Sequence, residues 1–534
     1  MTNTLALRGA ALALAVLFGT FAIGARPAAA VVTAYVQSVA EEAAQDEAVA
    51  AFYRERNFQP IWTTGADAER RRSFLHALDM AETHGLPAGR YDADGLRAQF
   101  AATRSERARG RLEVAMTRAF LAYAQDVSTG LLVPGRVIDG IKREVLRRDP
   151  VEMLTAFAAA EPAEFLQSLP PQDQRYAQLR KARLDLVDAI AAGGWGPRVQ
   201  ADKLEPGASG PAVVALRDRL IAMGYLQRTA TQVYDSHVQR AVQLFQIDNG
   251  LKADGIAGQS TLTEVNRDPS ERLESVLVAM ERMRWMNGLE LGQRHIWVNL
   301  PDFTAKIIDN GKVTFETVTV VGMNQHDRRS PEFSDSMEHM VVNPTWNVPR
   351  SIAVKEYLPQ LQQDPSSAGY IQLVDGAGRV VDRRSVDFTQ FTPTNFPFDL
   401  KQPPSNSNAL GLVKFMFPNR HNIYLHDTPS KSLFQREVRA YSHGCIRLGA
   451  PFDFAYQLLQ RQSDAPEDLF HRTLNTGRET VIDLTRDVPV HIVYYTAWPD
   501  AKGRITYRRD IYGRDGRIFD ALAAAGVSLR PVRG

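Results

Sequence analysis

In "RLEVAMTRAFLAYAQDVSTG", Leu112, Met116, Phe120, Tyr123 and Val127 recur at steps of four, four, three and four, and the run stops at Gly130. That spacing lays one apolar stripe along a helix. "RRRSFLHALDMAETHGLPAGRY" repeats the pattern and stops at Gly85 and Pro87, so residues 31–200 are expected to form a helical scaffold. Residues 201–268 read as a smaller helical bundle. Val213, Leu216, Leu220 and Met223 line one helix, Ala241, Val242 and Phe245 line another, and Gly224 and Gly250 act as stops. Near residue 290 the period changes from helical to alternating. "HIWVNL" alternates, and "FTAKIIDNGKVTFETVTVV" sets Asn310-Gly311 between two β-rich runs, a hairpin signal. "IQLVDGAGRVV", "LVKFMF", "NIYLHD" and "VHIVYY" continue the strands, with one helix expected at "PFDFAYQLLQRQ". The β-rich domain therefore covers 290–500. Its stretch 350–406, rich in Pro, Ser, Asn and Gln, reads as an inserted lid. A helical tail is expected at 501–534. The fold class is multidomain α+β.

Composition changes this picture in two places. The 534 residues are 44% hydrophobic and 23% charged, which is globular. Arg8, the apolar run "GAALALAVLFGTFAIG" and Ala28 to Ala30 together read as a cleaved export signal over 1–30. An uncleaved signal would instead tether the chain to a membrane. The formal charge is +2, and losing Arg8 and Arg26 with the signal leaves a nearly neutral chain, which argues against nucleic acid as a partner. Export also sharpens the reading of Cys445, the single cysteine. It can form no internal disulfide, so it is either a small buried hydrophobe or a working thiol.

Its neighbours favour work. A thiol attacks carbonyls as thiolate and needs a base or a nearby cation. His443 lies two residues before Cys445, and His426 lies in "NIYLHDTP", the end of a strand-like run. On a strand, His443 would run parallel to the thiol, whereas a residue on the neighbouring strand faces it, so geometry favours His426 as base. Gly444 permits close substrate approach, and the N–H groups of Gly444 and Cys445 are candidate oxyanion donors. Arg447 offers a fixed positive charge for a substrate carboxylate or for the thiolate. A metal site built from His421, His426, His443 and Cys445 is disfavoured, because the spacing in "HNIYLH" puts its histidines on opposite faces of a strand. No motif calls for a cofactor.

"HDTPSKSLFQREVRAYSHGCIRL" resembles the signature of the L,D-transpeptidases, and His426, Ser442, His443, Gly444, Cys445 and Arg447 all match. "NPTWNVPRSIA", "NALGLVKFMFPN" and "IYLHDTP" are similar to the large multidomain Gram-negative branch of that family. "GASGPAVVALRDRLIAMGYL" and "AVQLFQIDNGLKADGIAGQSTL" resemble a peptidoglycan-binding domain, with "TQVYD" where that family usually has "DGVFG". The resemblance implies a periplasmic enzyme whose partners are peptidoglycan stem peptides and glycan. Cys445 would be the nucleophile and His426 the base. Ser442 and Gly444 would support the nucleophile and oxyanion, His443, where many relatives have serine, would play a supporting part only, and Tyr424 and Arg447 would bind substrate. It implies attack on the amide between a third-position diaminopimelate and the terminal D-Ala, then transfer to a second stem's amine, and acylation by carbapenems. Water or a protein lysine as acceptor would make a carboxypeptidase or a lipoprotein-anchoring enzyme. A sortase-like acyltransferase and a non-enzymatic wall-binding scaffold are the readings outside the family.

Overall fold

The computed structural model describes residues 33–529, so the expected export signal lies outside them. The predicted stripe forms helix α1 (Glu106–Thr129), whose Leu112, Met116, Phe120, Tyr123 and Val127 are all buried. Trp62, Phe74 and Phe157 pack around Phe120 to make the centre of the helical unit. Buried Glu113 on the same helix accepts the N–H groups of Ile61, Trp62 and Thr63, and so pins the chain crossing above it. The second unit packs helices Pro211–Ala222, Ser236–Asp248 and Gln259–Val265 on a core of Val213, Leu216, Leu220, Val242 and Phe245.

Helix α2 (Pro269–Trp285) was not foreseen, and it is buried along most of its length. Its sequence, "PSERLESVLVAMERMRW", mixes charges into every face, so no apolar stripe shows. The charges are paired inside the protein. Glu281 accepts Leu132 N–H, Trp285 Nε1–H and the Arg284 guanidinium. A side chain at Gly130 would meet Glu281 Oε1 at 2.5 Å, so helix α1 must end on glycine there.

The β domain is built from β1 (Arg294–Asn299), β2 (Thr304–Asp309), β3 (Lys312–Gly322), β4 (Phe333–Val342), β5 (Val413–Met416), β6 (Leu425–His426), β7 (Ala440–Ser442), β8 (Ile446–Leu448) and β9 (Thr480–Val493). Asn310 and Gly311 both take positive φ, 50° and 78°, as a two-residue hairpin turn between β2 and β3 requires. The order is β7-β3-β8-β6-β5-β4-β9-β1-β2, and a further β2–β3 pairing closes eight of these strands into a ring. The core holds Ile296, Val298, Phe415, Leu425, Ile446, Leu448 and, from helix Pro451–Leu459, Phe454 and Leu458.

The insertion has a core of its own. Val348, Leu358, Leu373, Phe388, Phe396 and Leu400 pack together beside a four-stranded sheet formed by Trp346–Asn347, Gln372–Val374, Val380–Val381 and Asp399–Gln402. The expected helical tail needs correction. Ile505–Tyr507 forms a strand against Ala497–Pro499, and only α3 (Arg514–Ala524) is helical. The reason is a bridge to the second unit, where Arg504 pairs with Asp248 at 3.0 Å and Arg508 donates to the Asp248 carbonyl.

One buried ion network braces these parts. Glu332 at the foot of β4 takes Arg282 of α2 and Arg514 of α3, and Arg282 also reaches Asp515 at 3.3 Å. Removing one member of a buried pair leaves an uncompensated charge. Glu332→Gln should therefore destabilise the protein by about 3–5 kcal/mol. Denaturant unfolding monitored by Trp fluorescence would show it, and an unchanged midpoint would contradict the network's role.

Candidate active site

Strands β6 and β8 run parallel, with Leu425 opposite Ile446 and His426 opposite Arg447. Alternation then does the sorting. Leu425, Ile446 and Leu448 enter the core, while Tyr424, His426, Cys445 and Arg447 share the other face and line one cavity of about 690 Å³. The roof of that cavity is the insertion, chiefly Trp346–Asn347 and a π-helical turn Ala353–Tyr357.

Register makes Tyr424, rather than His426, the direct cross-strand neighbour of Cys445, and Ile446 N–H donates to Tyr424 O at 3.1 Å. The part-buried thiol points at Asn422 O, 3.5 Å away, so its proton is aimed at a carbonyl and not at an imidazole. Desolvation pushes the Cys445 thiol up to about 11, against the lowering effect of hydrogen bonds from Tyr424 and the charge of Arg447. Tyr424 is raised in turn by burial and by the sulfur beside it.

His426 is buried, and its Nδ1 donates to Asp427 O at 2.5 Å. That bond fixes the tautomer and leaves Nε2 as the basic nitrogen. Desolvation first, and then the neighbouring Arg447, hold its pKa down to about 3. Thiol and imidazole are thus both neutral at rest, the reverse of the ionised pair that a Cys-His motif suggests. Arg447 has a buried Nε with no hydrogen-bond partner, which leaves a cation facing the cavity.

The loop between β7 and β8 corrects two sequence expectations. Gly444 adopts φ +119°, a conformation that favours glycine, but its N–H donates to Ser442 Oγ at 3.2 Å. Ser442 Oγ in turn donates to Cys445 O at 2.5 Å. Ser442 therefore braces the loop from within, and Gly444 N–H is already engaged and not free for an oxyanion. His443 turns toward the insertion, where its Nε2 meets Glu356 Oε1 at 2.7 Å, and Arg328 binds the same carboxylate. It links loop to lid. A third correction concerns His421. The turn before β6, with Asn422 at φ 53°, breaks the strand assumed for "HNIYLH", so His421 and His426 line the same cavity. Asn422 was missed altogether, because its carbonyl acts through backbone geometry and no motif marks it.

Three family models match separate parts of the chain: "Scaffold domain" over 47–182, "Putative peptidoglycan binding domain" over 209–264 and "L,D-transpeptidase catalytic domain" over 293–492. A Haemophilus influenzae protein described as "Putative L,D-transpeptidase" is 29% identical over 296 residues, which is 55% of this chain and 58% of that protein's length. The chain thus spans less than two thirds of that relative. Solved L,D-transpeptidase structures from Xylanimonas cellulosilytica and Stackebrandtia nassauensis share 14% and 15% identity, each over 56% of this chain. They are covered to 98% and 96%, with TM-scores of 0.16 and 0.21, too low to carry a structural argument.

Proposed function

Because the chain carries an L,D-transpeptidase catalytic domain beside a peptidoglycan-binding domain, we propose that it cross-links peptidoglycan through a Cys445 acyl-enzyme. The observation that carries this reading is the shared face of β6 and β8. It sets the only thiol, a neutral imidazole and an unpaired guanidinium around one roofed cavity.

The resting ionisation gives the order of events. With the thiol near 11 and the imidazole near 3, proton transfer is unfavourable until substrate arrives. A substrate carboxylate on Arg447 would neutralise the charge that depresses His426, and so make Nε2 a better base during attack. Sulfur then adds to the amide carbon between diaminopimelate and D-Ala. His426 takes the thiol proton and returns it to the departing amine, a donation that its low pKa favours. Tyr424, hydrogen-bonded to the sulfur, steadies the developing negative charge. The amine of a second stem's diaminopimelate takes the acyl group, joining two third-position residues. Such a reaction belongs in the periplasm, where the polymer lies. Among the described residues, no helix is long and apolar enough to cross a membrane.

Muropeptides incubated with the protein and read by mass spectrometry test the assignment. New dimers joined between third residues, with D-Ala released, are expected. D-Ala release without dimers would mean that water is the acceptor, and no change in any muropeptide would overturn the cross-linking assignment.

The site also predicts an unusual pH profile. A depressed histidine keeps its base form to lower pH and loses it only as pH falls through the shifted value. Carbapenem acylation of Cys445 should stay level from about pH 8 to about pH 5, where an ordinary imidazole near 6.5 would have lost most of its base. A fall centred near pH 6.5, read by intact-mass kinetics, would contradict the buried neutral imidazole.

A further inference from the structure

We propose that Ser330 positions the oxyanion donor of this active site by fixing the plane of the Gly444–Cys445 peptide. The inference rests on Cys445 being the nucleophile. Ser330 is fully buried, lies on the segment leading into β4, and does not line the cavity. Its Oγ donates to Gly444 O at 2.6 Å and accepts Gly322 N–H at 3.0 Å, so both hydrogen-bonding roles of the hydroxyl are in use. In a planar trans peptide the carbonyl and the following N–H point in opposite directions. Holding Gly444 O toward Ser330 therefore turns Cys445 N–H away from the protein interior, on the residue whose side chain faces the cavity. The other N–H expected to serve an oxyanion, that of Gly444, is taken by Ser442. Cys445 N–H makes no hydrogen bond among the described residues.

Ser330 is itself held from behind. Tyr512 OH donates to Gly322 O at 2.5 Å and accepts Ser330 N–H, while Arg514 Nη2 donates to Ser330 O at 2.7 Å. The residues just before and within α3 thus reach the nucleophile's peptide through one serine. When sulfur adds to the substrate carbonyl, the C–S bond forms and the carbonyl π pair moves onto oxygen. That oxygen meets Cys445 N–H until the pair returns and the C–N bond breaks, the amine leaving with the proton held by His426. A donor aimed in advance costs nothing to reorganise at that moment.

Two reagents separate positioning from mere structural support. A carbapenem acylates through a tetrahedral oxyanion, whereas iodoacetamide alkylates sulfur by displacement and forms none. In Ser330→Ala, carbapenem acylation of Cys445 should slow by about tenfold or more, while iodoacetamide alkylation changes by less than about twofold. Ser330→Thr, which returns the hydroxyl, should restore the ratio of the two rates. An unchanged ratio in Ser330→Ala, or equal loss of both rates, overturns the proposal. Should Ser330→Ala fail to fold, Tyr512→Phe removes the hydroxyl behind Ser330 and should lower the same ratio, and an unchanged ratio there overturns it equally. A wild-type protein that takes no carbapenem adduct on Cys445, yet is alkylated there, brings down the nucleophile assignment itself and this inference with it.

Discussion

Cys445→Ala should bring D-Ala release and cross-link formation to background, a loss on the order of ten thousandfold or more. In the proposed mechanism the sulfur takes the acyl group, and the chain has no second thiol to replace it. Its sulfur makes only a long 3.5 Å contact with Asn422 O and the hydrogen bonds from Tyr424, so removing it should cost the fold little. Cys445→Ser should be nearly as inactive, because a hydroxyl is far harder to deprotonate than a thiol already near 11, and His426 is a weak base. Turnover of muropeptides and adduct mass after carbapenem treatment would both report it. More than trace activity in Cys445→Ala would end the covalent mechanism.

His426→Ala should cost about a hundredfold or more in the rate of acylation, with folding checked by circular dichroism. The argument is positional. Among the described residues His426 is the one histidine on strands β6 and β8, and the bond from its Nδ1 to Asp427 O leaves Nε2 as the nitrogen that takes up a proton. His443, close to the thiol in sequence, is turned to Glu356, and His443→Ser should cost less than about tenfold. Losses of equal size, or larger in His443→Ser, would mean that the proton moves through the loop histidine.

The sequence carried the site further than it carried the frame. Alternation in "NIYLHD" and the motif "YSHGCIRL" were enough to set His426 on a strand facing that of Cys445, because a strand has only two faces to choose from, whereas Tyr424 entered only through the family resemblance. The turn residues were legible for the same reason, as Asn310-Gly311 shows. Helix α2 was hidden, since its arginines and glutamates look solvated until partners from other segments are in place. The ionisation of the site was hidden too. Whether His426 is neutral depends on how deeply it is buried and on Arg447 across the sheet, and neither is a property of local spacing. The engagement of Gly444 N–H by Ser442 depends on a loop conformation that the motif alone leaves open.

The pairing of the Ile505–Tyr507 hairpin with the second helical unit bears on how far the enzyme can reach. Arg504 on Asp248 and Arg509 on Glu264, with Arg508 donating to a helix-end carbonyl, hold that unit against the barrel at several points. Docking of this kind is the opposite of a flexible tether, whose ends explore a wide range of separations. A polymer gripped by the docked unit would offer its side branches to the thiol at one separation. The enzyme would then act as a ruler along the strand, selecting branches by their interval from the grip, and lengthening or loosening the hairpin would blur that interval before it slowed the chemistry.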